Sequence, residues 1–337
     1  MSNYKDIIGA HIKSVTTDPP NPENGQMWYN STDKAVKGFK SNSAGAWSSG
    51  GNMNTARNRG AGSGIQTSAL AYGGLTGPGS PNKTGKTESY NGTAFSEVND
   101  LNSARYDTQG AGTASTQALC CQGHTGPARQ AITESWNGTC WTEVNDSNVA
   151  RNAGGAAGSY TSAIVTGGDT PPGNYKNAES WNGTCWTAVS NMNADRSIHC
   201  MSGASNTASL AIGGLQPSPA TIHGFTESWN GSAWTELNDL NSARQEQSGS
   251  GTYTSAVCAS GTNPHTSALA VTETWNGTSW TEVADVSTAR RRPSNNAGAD
   301  SGSALMSGGG PATGSPVFNS SEEFILPATS TVTFTTS

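Results

Sequence analysis

The chain has 337 residues, a net charge of −6 and an unusual composition, with 42 Gly, 12% charged and 33% hydrophobic residues. Its 18 basic residues are scattered, which excludes the concentrated basic patch of a nucleic-acid-binding protein. No run of 18 apolar residues occurs, and the first residues lack the apolar core of a secretory signal, so we expect no membrane insertion and no cleaved leader. Ten Trp at regular spacing argue against disorder.

Residues 1–44 are predicted to form an arm followed by a β-hairpin. Residues 1–22 have no clear periodicity and contain three prolines. The segments 25–30 (GQMWYN) and 34–39 (KAVKGF) then alternate around a polar turn, as in a short hairpin. Terminal segments without a core-forming pattern are ordered mainly when something holds them. We therefore expect residues 1–44 to contact another subunit.

From residue 45 onward the sequence repeats one unit. The stretch TESWNGTCWTEVNDSNVAR at 133–151 has close counterparts at 87–105, 179–196, 226–244 and 272–290, and the closing arginines lie 45 to 48 residues apart. Units of this length are typical of β-propeller blades, which contain four short strands. We predict an all-β propeller over residues 45–337 with six blades. A seventh blade built from residues 25–50 is the alternative.

Each unit divides into four predicted strands, A to D. Strand A is rich in Gly, Ala and Ser because only narrow side chains fit near a propeller axis. Strand B is apolar and ends in Gly-Gly. Strands C (ESW) and D (WTEV) flank Asn-Gly, which favours a two-residue hairpin turn with positive φ at both residues. The large residues of strands C and D are predicted to fill the wedge between blades: Trp136, Trp141, Trp181, Trp186, Trp229, Trp234, Trp275 and Trp280.

The two chain ends are predicted to close the ring together. Residues 297–309 supply a last A and B, and residues 321–326 a last strand C. The segment around Trp47 would add the outer strand of that blade. The segment 331–337 (TVTFTTS) is a predicted final strand, antiparallel to the last strand C and therefore unsuited to an inner position.

Several repeated polar residues have structural explanations. One Glu in each strand C and the closing arginines, among them Arg105, Arg151 and Arg244, recur in every blade, whereas an active site needs one constellation. We predict that these groups pair and brace the blades. The Asn-Gly-Thr/Ser sequons and the Asp-x-Asn segments are predicted to be turns, since no calcium-loop spacing follows. The six cysteines are predicted to be small buried thiols. We predict no catalytic group, metal site or cofactor.

The connections from strand B to strand C differ in every repeat. In a propeller these loops share one face with the D-to-A connections, and binding residues commonly lie on variable loops of a rigid framework. We predict a ligand-binding face that includes Lys83, His124, Arg129, Tyr175, Lys176, His223 and His265. Loops that are variable only because nothing constrains them are the alternative. The spacing of the histidines does not support a metal site.

The unit resembles a kelch repeat in its apolar B strand with Gly-Gly, its aromatic residue in strand C and its Trp at the start of strand D. Blades two and five depart from this pattern with Gln122–Gly123 and Ser260–Gly261, and Trp-Asn-Gly replaces the usual Tyr-Asp of strand C. The resemblance covers residues 45–337. It implies a kelch-like β-propeller and no particular activity, because kelch propellers serve many functions.

A second resemblance concerns biological context. The segment GQMWYNSTDKAVKGF at 25–39 resembles the hairpin that precedes repeats in bacteriophage tail and appendage proteins, and the whole array resembles marine phage structural proteins. This implies a non-enzymatic virion component, such as a tail fibre. It would join other virion proteins through residues 1–44 in a homo- or hetero-oligomeric assembly and bind a host surface glycan or protein. An extracellular filament or adhesin subunit is the alternative. A kelch-like enzyme would need a clustered, non-repeating polar set near the axis.

Overall fold

The computed structural model describes residues 12–19, 26–40, 45–170, 173, 175–312, 315–326 and 330–334. Across these residues the chain is all-β apart from a single 3-10 turn at Ser80–Asn82, and none of them belongs to a helix long and apolar enough to span a membrane. The chain separates into two compact units. Residues 46–325 form the larger unit, and residues 1–45 with 326–337 form the smaller one.

The strand bounds follow the predicted A-to-D pattern. In chain order the strands are β1 (Lys13–Val15), β2 (Met27–Asn30), β3 (Ala35–Lys40), β4 (Ala46–Ser49), β5 (Ala61–Ile65), β6 (Ser68–Tyr72), β7 (Thr87–Tyr90), β8 (Phe95–Val98), β9 (Gln109–Ala114), β10 (Gln117–His124), β11 (Arg129–Trp136), β12 (Trp141–Val144), β13 (Gly155–Ser159), β14 (Ser162–Thr166), β15 (Ala178–Trp181), β16 (Trp186–Val189), β17 (Cys200–Ser205), β18 (Ala208–Ile212), β19 (Leu215–Pro217), β20 (Ala220–Ile222), β21 (Thr226–Trp229), β22 (Trp234–Glu236), β23 (Ser248–Gly251), β24 (Ala256–Ala259), β25 (Thr272–Trp275), β26 (Trp280–Glu282), β27 (Asn295–Asp300), β28 (Ser303–Ser307), β29 (Ser321–Ile325) and β30 (Ser330–Phe334).

The larger unit is a β-propeller, as the repeat predicts. Within the described residues it contains six four-stranded antiparallel sheets: β5–β8, β9–β12, β13–β16, β17 with β18, β21 and β22, β23–β26, and β27–β29 with β4. We number these sheets as blades one to six. Their first strands contact one another in a closed cycle, from β5 through β9, β13, β17, β23 and β27 back to β5. The Gly- and Ala-rich A strands therefore line the axis, where the sequence places them.

The ring closes through the N-terminal strand. Strand β4 pairs antiparallel with β29, with Trp47 opposite Phe324, so the segment around Trp47 supplies the outer strand of the last blade as predicted. Strand β30 differs from the prediction. It pairs with β3 in the smaller unit, because β4 already occupies the outer edge of the last blade. The propeller therefore ends at Ile325, and the predicted range 45–337 is too long at its C-terminal end.

The smaller unit is one sheet with the order β1-β2-β3-β30. Strands β2 and β3 form the predicted hairpin, with Trp28 opposite Lys37, and β1 lies parallel to β2. Asp18 accepts hydrogen bonds from Trp28 Nε1 at 2.8 Å and Asn30 Nδ2 at 2.7 Å. The hydrogen bond from Lys37, with those from Asn30 and Trp28, lowers the pKa of Asp18 to about 2. The arm predicted over residues 1–22 lies largely outside the described residues.

The strand-D tryptophans couple neighbouring blades. Their rings pack against the strand-C Trp of the same blade, as for Trp136 and Trp141 with centroids 5.4 Å apart. In four blades the indole N–H also donates to a Thr hydroxyl of the preceding blade at 3.0–3.1 Å: Trp141 to Thr87, Trp186 to Thr133, Trp280 to Thr226 and Trp47 to Thr272. Burying one such side chain contributes roughly 4–6 kcal/mol gross. The aromatic residues therefore fill the wedge between blades, as predicted, and also bond across it.

The Arg and Glu residues that recur in each blade form buried ion pairs, which confirms their predicted pairing: Arg57–Glu88, Arg105–Glu134, Arg151–Glu179, Arg196–Glu227, Arg244–Glu273 and Arg290–Glu322. Each Glu also binds the connector that arrives from the previous blade. Glu134 accepts hydrogen bonds from the backbone N–H of Asn102 at 2.8 Å and of Ser103 at 3.3 Å. The buried Glu therefore links neighbouring blades by fixing this connector in place.

The Asn-Gly turn differs from the predicted two-residue type. In blade two Trp136 pairs with Trp141, so four residues form the turn, and only Gly138 has positive φ, at 93°. Asn137 instead accepts two backbone hydrogen bonds through Oδ1, from Thr139 N and Cys140 N at 2.9 Å. The Asn is therefore required for its side chain, as in an Asx turn, and not for a left-handed backbone.

The prediction that all the cysteines are buried is wrong for two of the six. Cys140 and Cys185 are exposed, because each is the last residue of a four-residue Asn-Gly turn whose residues are all exposed. Cys120, Cys121, Cys200 and Cys258 are buried, and all six are free thiols.

The two positions after strand B, usually Gly-Gly, have a left-handed backbone in every blade. Gly167 and Gly168 have φ of 55° and 85°. In the two blades that lack the first glycine, Gln122 and Ser260 adopt φ of 60° and 59°. The departures from the kelch pattern therefore keep the backbone conformation of the motif.

Gly158 is expected to tolerate no side chain. Its φ is +113°, and an added Cβ would lie 2.2 Å from Ser162 O and 2.7 Å from Ala163 Cα, both fixed backbone atoms. Gly158→Ala should lower the free energy of unfolding by about 2–4 kcal/mol, measured by chemical denaturation. Gly138→Ala is the control, since its φ is also positive but its nearest neighbour is Thr116 O at 3.3 Å. Gly138→Ala should lower the free energy of unfolding by about 1 kcal/mol. An equal loss in both variants would contradict a steric clash at Gly158.

Candidate functional site

The B-to-C loops and the D-to-A connections lie at the same end of each sheet. The residue after each closing Arg pairs with the first residue of the following B-to-C loop, as Tyr106 does with His124 and Asn152 with Asp169. The variable loops therefore share one face of the propeller, which we call the loop face.

Six residues form a closed hydrogen-bonded ring around the axis at this face. They lie two positions after each closing Arg and all have positive φ, between 48° and 60°: Arg59, Asp107, Ala153, Ile198, Glu246 and Arg292. The backbone N–H of each donates to the carbonyl of the equivalent residue in the preceding blade, with N···O distances of 2.7–3.1 Å, and Arg59 donates to Arg292 to close the cycle. This ring fixes the axial end of all six blades.

Four of these ring residues are charged, and with Arg291 they form what we call the axial charge cluster. Arg292 donates to Glu246 Oε1 at 2.6 Å and to Asp107 Oδ1 at 3.0 Å. Arg59 Nη1 lies 3.3 Å from Asp107 Oδ2, and Arg291 Nη1 lies 3.1 Å from Glu246 Oε2. The side chain of Arg292 thus links its own sixth blade to the fifth and the second.

The partners of Glu246 and Arg292 favour the charged forms of these two side chains. Burial raises the pKa of Glu246, but Arg292 and Arg291 outweigh burial and hold it below its usual range. Burial lowers the pKa of Arg292, whereas Asp107 and Glu246 outweigh it and raise the pKa. For Arg59 burial is the larger effect, and its pKa is lowered despite Asp107. Of these two arginines, Arg59 is therefore the one whose burial is less compensated by carboxylates.

A cavity of about 350 Å³ extends along the axis from this cluster to the A-to-B turns. Its wall consists largely of the small residues of the A strands. Five buried side chains of the wall have a polar atom without a partner: Ser63 Oγ, Thr108 Oγ1, Gln109 Oε1, His199 Nδ1 and Gln247 Oε1. Burial holds the pKa of His199 well below its usual range, and its Nε2 lies 2.8 Å from Thr166 Oγ1.

The predicted loop histidines do not converge. His124 packs against Tyr106 with ring centroids 5.2 Å apart, and His223 stacks on Phe225 at 4.1 Å and contacts Gln216 Oε1 at 3.1 Å. His265 is exposed, with Nε2 3.2 Å from Gln245 Nε2. Each histidine is therefore held within its own blade. The described part of the chain contains no group of three metal-ligating side chains.

The other predicted binding residues belong to the B-to-C connections of blades one, two and three. Arg129 forms an ion pair with Asp169 of the next blade. Lys83 is exposed, and Tyr175 and Lys176 are partly exposed. The backbone carbonyls of Tyr175 and Lys176 accept hydrogen bonds from the connector of their own blade. None of these four residues lines the axial cavity.

The sequence prediction missed the axial charge cluster. The comparison of repeats contained a signal for it: the position two residues after the closing Arg reads Arg, Asp, Ala, Ile, Glu and Arg in the six blades, so four of the six are charged. A kelch-like enzyme would need a clustered, non-repeating polar set near the axis, and the axial charge cluster is such a set.

Comparison with known proteins supports the fold and no more. A solved structure titled "Structure of YjhT" superposes with a TM-score of 0.64 at 13% sequence identity, covering 80% of this chain and 95% of the YjhT chain. No protein-family model matches the sequence, and no curated protein matches it. At this identity the likeness supports the β-propeller fold alone and carries no information on function.

Proposed function

We propose that this protein is a non-enzymatic structural component of a bacteriophage virion, a tail-fibre or appendage propeller that binds a host surface glycan or protein through its loop face. One observation supports this above the others. Every repeated feature is a framework contact, whereas the differences between blades collect on a single face around the axial ring. A rigid ring with one variable face suits recognition, because loops can change without loss of the fold.

The smaller unit suits attachment to other virion proteins. Its sheet order leaves β1 and β30 as edge strands among the described residues, and edge strands offer unpaired backbone groups to a partner. Met27 and Tyr29 lie on one face of β2 and are 45% and 37% exposed. These features favour an oligomeric assembly joined through the N-terminal region.

The axial charge cluster favours binding over catalysis. A general acid or base works best with a pKa near the working pH. Glu246 does not meet this requirement, since its arginine partners hold its pKa below the usual range of a glutamate. Asp107 is likewise bound by two guanidinium groups, from Arg59 and Arg292. The low pKa of Glu246 and the paired guanidinium partners of both carboxylates weigh against the kelch-like enzyme.

The virion assignment is tested by mass spectrometry and immunogold labelling of purified phage particles. We expect the chain in intact particles, with label on a tail or appendage. Its absence from particles, together with its presence on cell surfaces, would favour the filament or adhesin subunit instead.

The binding face is tested with two matched triple variants. Lys83→Ala, Lys176→Ala and His265→Ala together change the loop face, whereas Thr139→Ala, Thr184→Ala and Tyr253→Ala change exposed turns at the opposite face. We expect the first triple to reduce binding to host cells or a glycan array at least tenfold, with an unchanged unfolding midpoint. The second triple should bind like wild type. Equal binding by both would contradict recognition through the loop face.

A further inference from the structure

Two buried thiols meet between the fourth and fifth blades. Cys200 lies on strand β17 of the fourth blade, and Cys258 lies on strand β24 of the fifth. The two side chains belong to one packed cluster and share a hydrogen bond. The equivalent residues of the first blade are Ala61 and Ala71. The pair is therefore not part of the repeated framework.

The space for this contact comes from Gly249. It lies directly opposite Cys258 in the β23–β24 pair, and residues opposite each other in antiparallel strands project to the same face. A Cβ added to Gly249 would lie 2.5 Å from Cys200 Sγ and 2.9 Å from Cys200 Cβ. The side chain of Cys200 therefore lies where a side chain of Gly249 would lie, beside Cys258. Directly opposite Cβ atoms are about 4.5–5.5 Å apart, close to the separation of about 3.5–4.5 Å in a disulfide.

The second blade contains the same site without the second thiol. Cys120 lies opposite Gly110, and a Cβ added there would lie 3.1 Å from the Cβ of Ala61 in the first blade. Ala61 thus holds the position that Cys200 holds beside the fifth blade. Cys120 and Cys258 are both fully buried. Cys120 is therefore a matched control for Cys258 within the same chain.

The partner thiol changes the acidity of the buried cysteine. Burial raises the pKa of Cys258, but the hydrogen bond with Cys200 and the charge of Arg244 outweigh burial and lower it. Burial and the same hydrogen bond raise the pKa of Cys200, so Cys200 donates and Cys258 accepts. Burial raises the pKa of Cys120 to about 11, although Arg105 opposes the rise. Because the thiolate is the nucleophile, the paired site is the more reactive of the two at neutral pH.

We propose that Cys200 and Cys258 are a redox-active pair, which a peroxide converts to a disulfide between the fourth and fifth blades. Cys200 lines the axial cavity and is 6% exposed, whereas Cys258 is 0% exposed. An oxidant therefore has to enter by the axial cavity and has to be small. Hydrogen peroxide meets both conditions. The pair is separate from recognition of a host macromolecule by the B-to-C loops.

The oxidation takes two steps. In the first, the thiolate of the pair attacks one oxygen of hydrogen peroxide, the O–O bond breaks, and the departing hydroxide takes up a proton and leaves as water. In the second, the other sulfur attacks the sulfenic sulfur, the S–S bond forms, the S–O bond breaks, and the hydroxyl leaves as water with the remaining thiol proton. The two thiols thus lose two electrons and two protons, and one peroxide is reduced to two waters.

The test treats the reduced full chain with hydrogen peroxide and then maps its thiols. Cys140→Ser and Cys185→Ser are introduced first, because these two cysteines are exposed and would react in their own right. Both substitutions are expected to fold like wild type, since the fifth blade carries Ser279 at the equivalent turn position.

Trypsin places the two paired cysteines in separate fragments, 197–244 and 245–290, each with one cysteine. Mass spectrometry without reduction should show these fragments joined, with the loss of two hydrogens. Cys120, on fragment 106–129, should remain a free thiol in the same sample. Fragments that stay separate, or loss of the Cys120 thiol as fast as that of Cys258, would overturn the proposal.

Variants of the pair show whether the two thiols act together. The disulfide should raise the midpoint of thermal unfolding by at least about 4 °C, because it closes a long loop in the unfolded chain. Cys200→Ala should abolish the cross-link and this shift, and it should leave Cys258 as unreactive as Cys120. Cys258→Ala is the second variant, and both should fold because the first blade carries Ala61 and Ala71 at these positions. Unchanged loss of the Cys258 thiol in Cys200→Ala would overturn the pairing.

Discussion

Glu134→Gln is expected to lower the free energy of unfolding of the propeller by about 3–5 kcal/mol, because it leaves the charge of Arg105 buried without its partner. The Arg105 and Glu134 side chains are both fully buried. The same carboxylate accepts hydrogen bonds from Asn102 N, Asn102 Nδ2 and Ser103 N. The substitution thus removes the charge and releases the connector that joins the first two blades. Guanidinium denaturation followed by circular dichroism measures the change.

Glu143→Gln is the matched control for this variant. Glu143 lies directly opposite Glu134 in the same hairpin, but it is exposed on strand β12. Its loss should change the unfolding free energy by less than about 0.5 kcal/mol, as is usual for surface substitutions. If the two variants unfold at the same denaturant concentration, the buried pair does not brace the ring.

Trp141→Ala should lower the free energy of unfolding by about 3–5 kcal/mol, because it opens a cavity between the first two blades. Trp141 is 4% exposed, packs against Tyr72 with centroids 4.9 Å apart, and donates to Thr87 Oγ1 at 3.0 Å. Trp141→Phe should cost only about 1–2 kcal/mol. The first blade already has Phe95 at the equivalent position, so a phenyl ring is compatible with the wedge.

A double-mutant cycle separates the hydrogen bond from the packing at this position. Trp141→Phe and Thr87→Val each remove one partner, and the double variant removes both. We expect a coupling free energy of about 1 kcal/mol from the four unfolding curves. Strictly additive effects would show that the indole–hydroxyl bond contributes nothing, and equal costs for Trp141→Ala and Trp141→Phe would show that packing does not dominate.

Framework residues recur in every blade, whereas the residues of the candidate sites differ from blade to blade. The wedge tryptophans, the buried ion pairs and the Asn-Gly turns recur because every blade must meet its neighbours in the same way. The axial ring shows that a framework position can carry a different side chain in each blade. All six residues of the ring share one backbone conformation and one hydrogen bond, while their side chains differ freely.

The sequence by itself determined the features that depend on neighbouring residues or on the repeat. The period, the A-to-D strand order, the paired Arg and Glu, and the closure by the strand around Trp47 follow from local patterns that occur several times. Each copy is an independent observation of the same environment, which is why these predictions agree with the structure.

Only the tertiary structure decided which distant positions meet. Arg292 binds Asp107 across 185 residues because ring closure brings the sixth blade beside the first and near the second. Strand β30 pairs with β3, and β4 occupies the outer edge of the last blade. Neither contact has a repeated counterpart, and backbone pairing at a strand edge depends little on side-chain identity. A pattern within one repeat cannot encode such contacts, since they arise from the geometry of the closed ring.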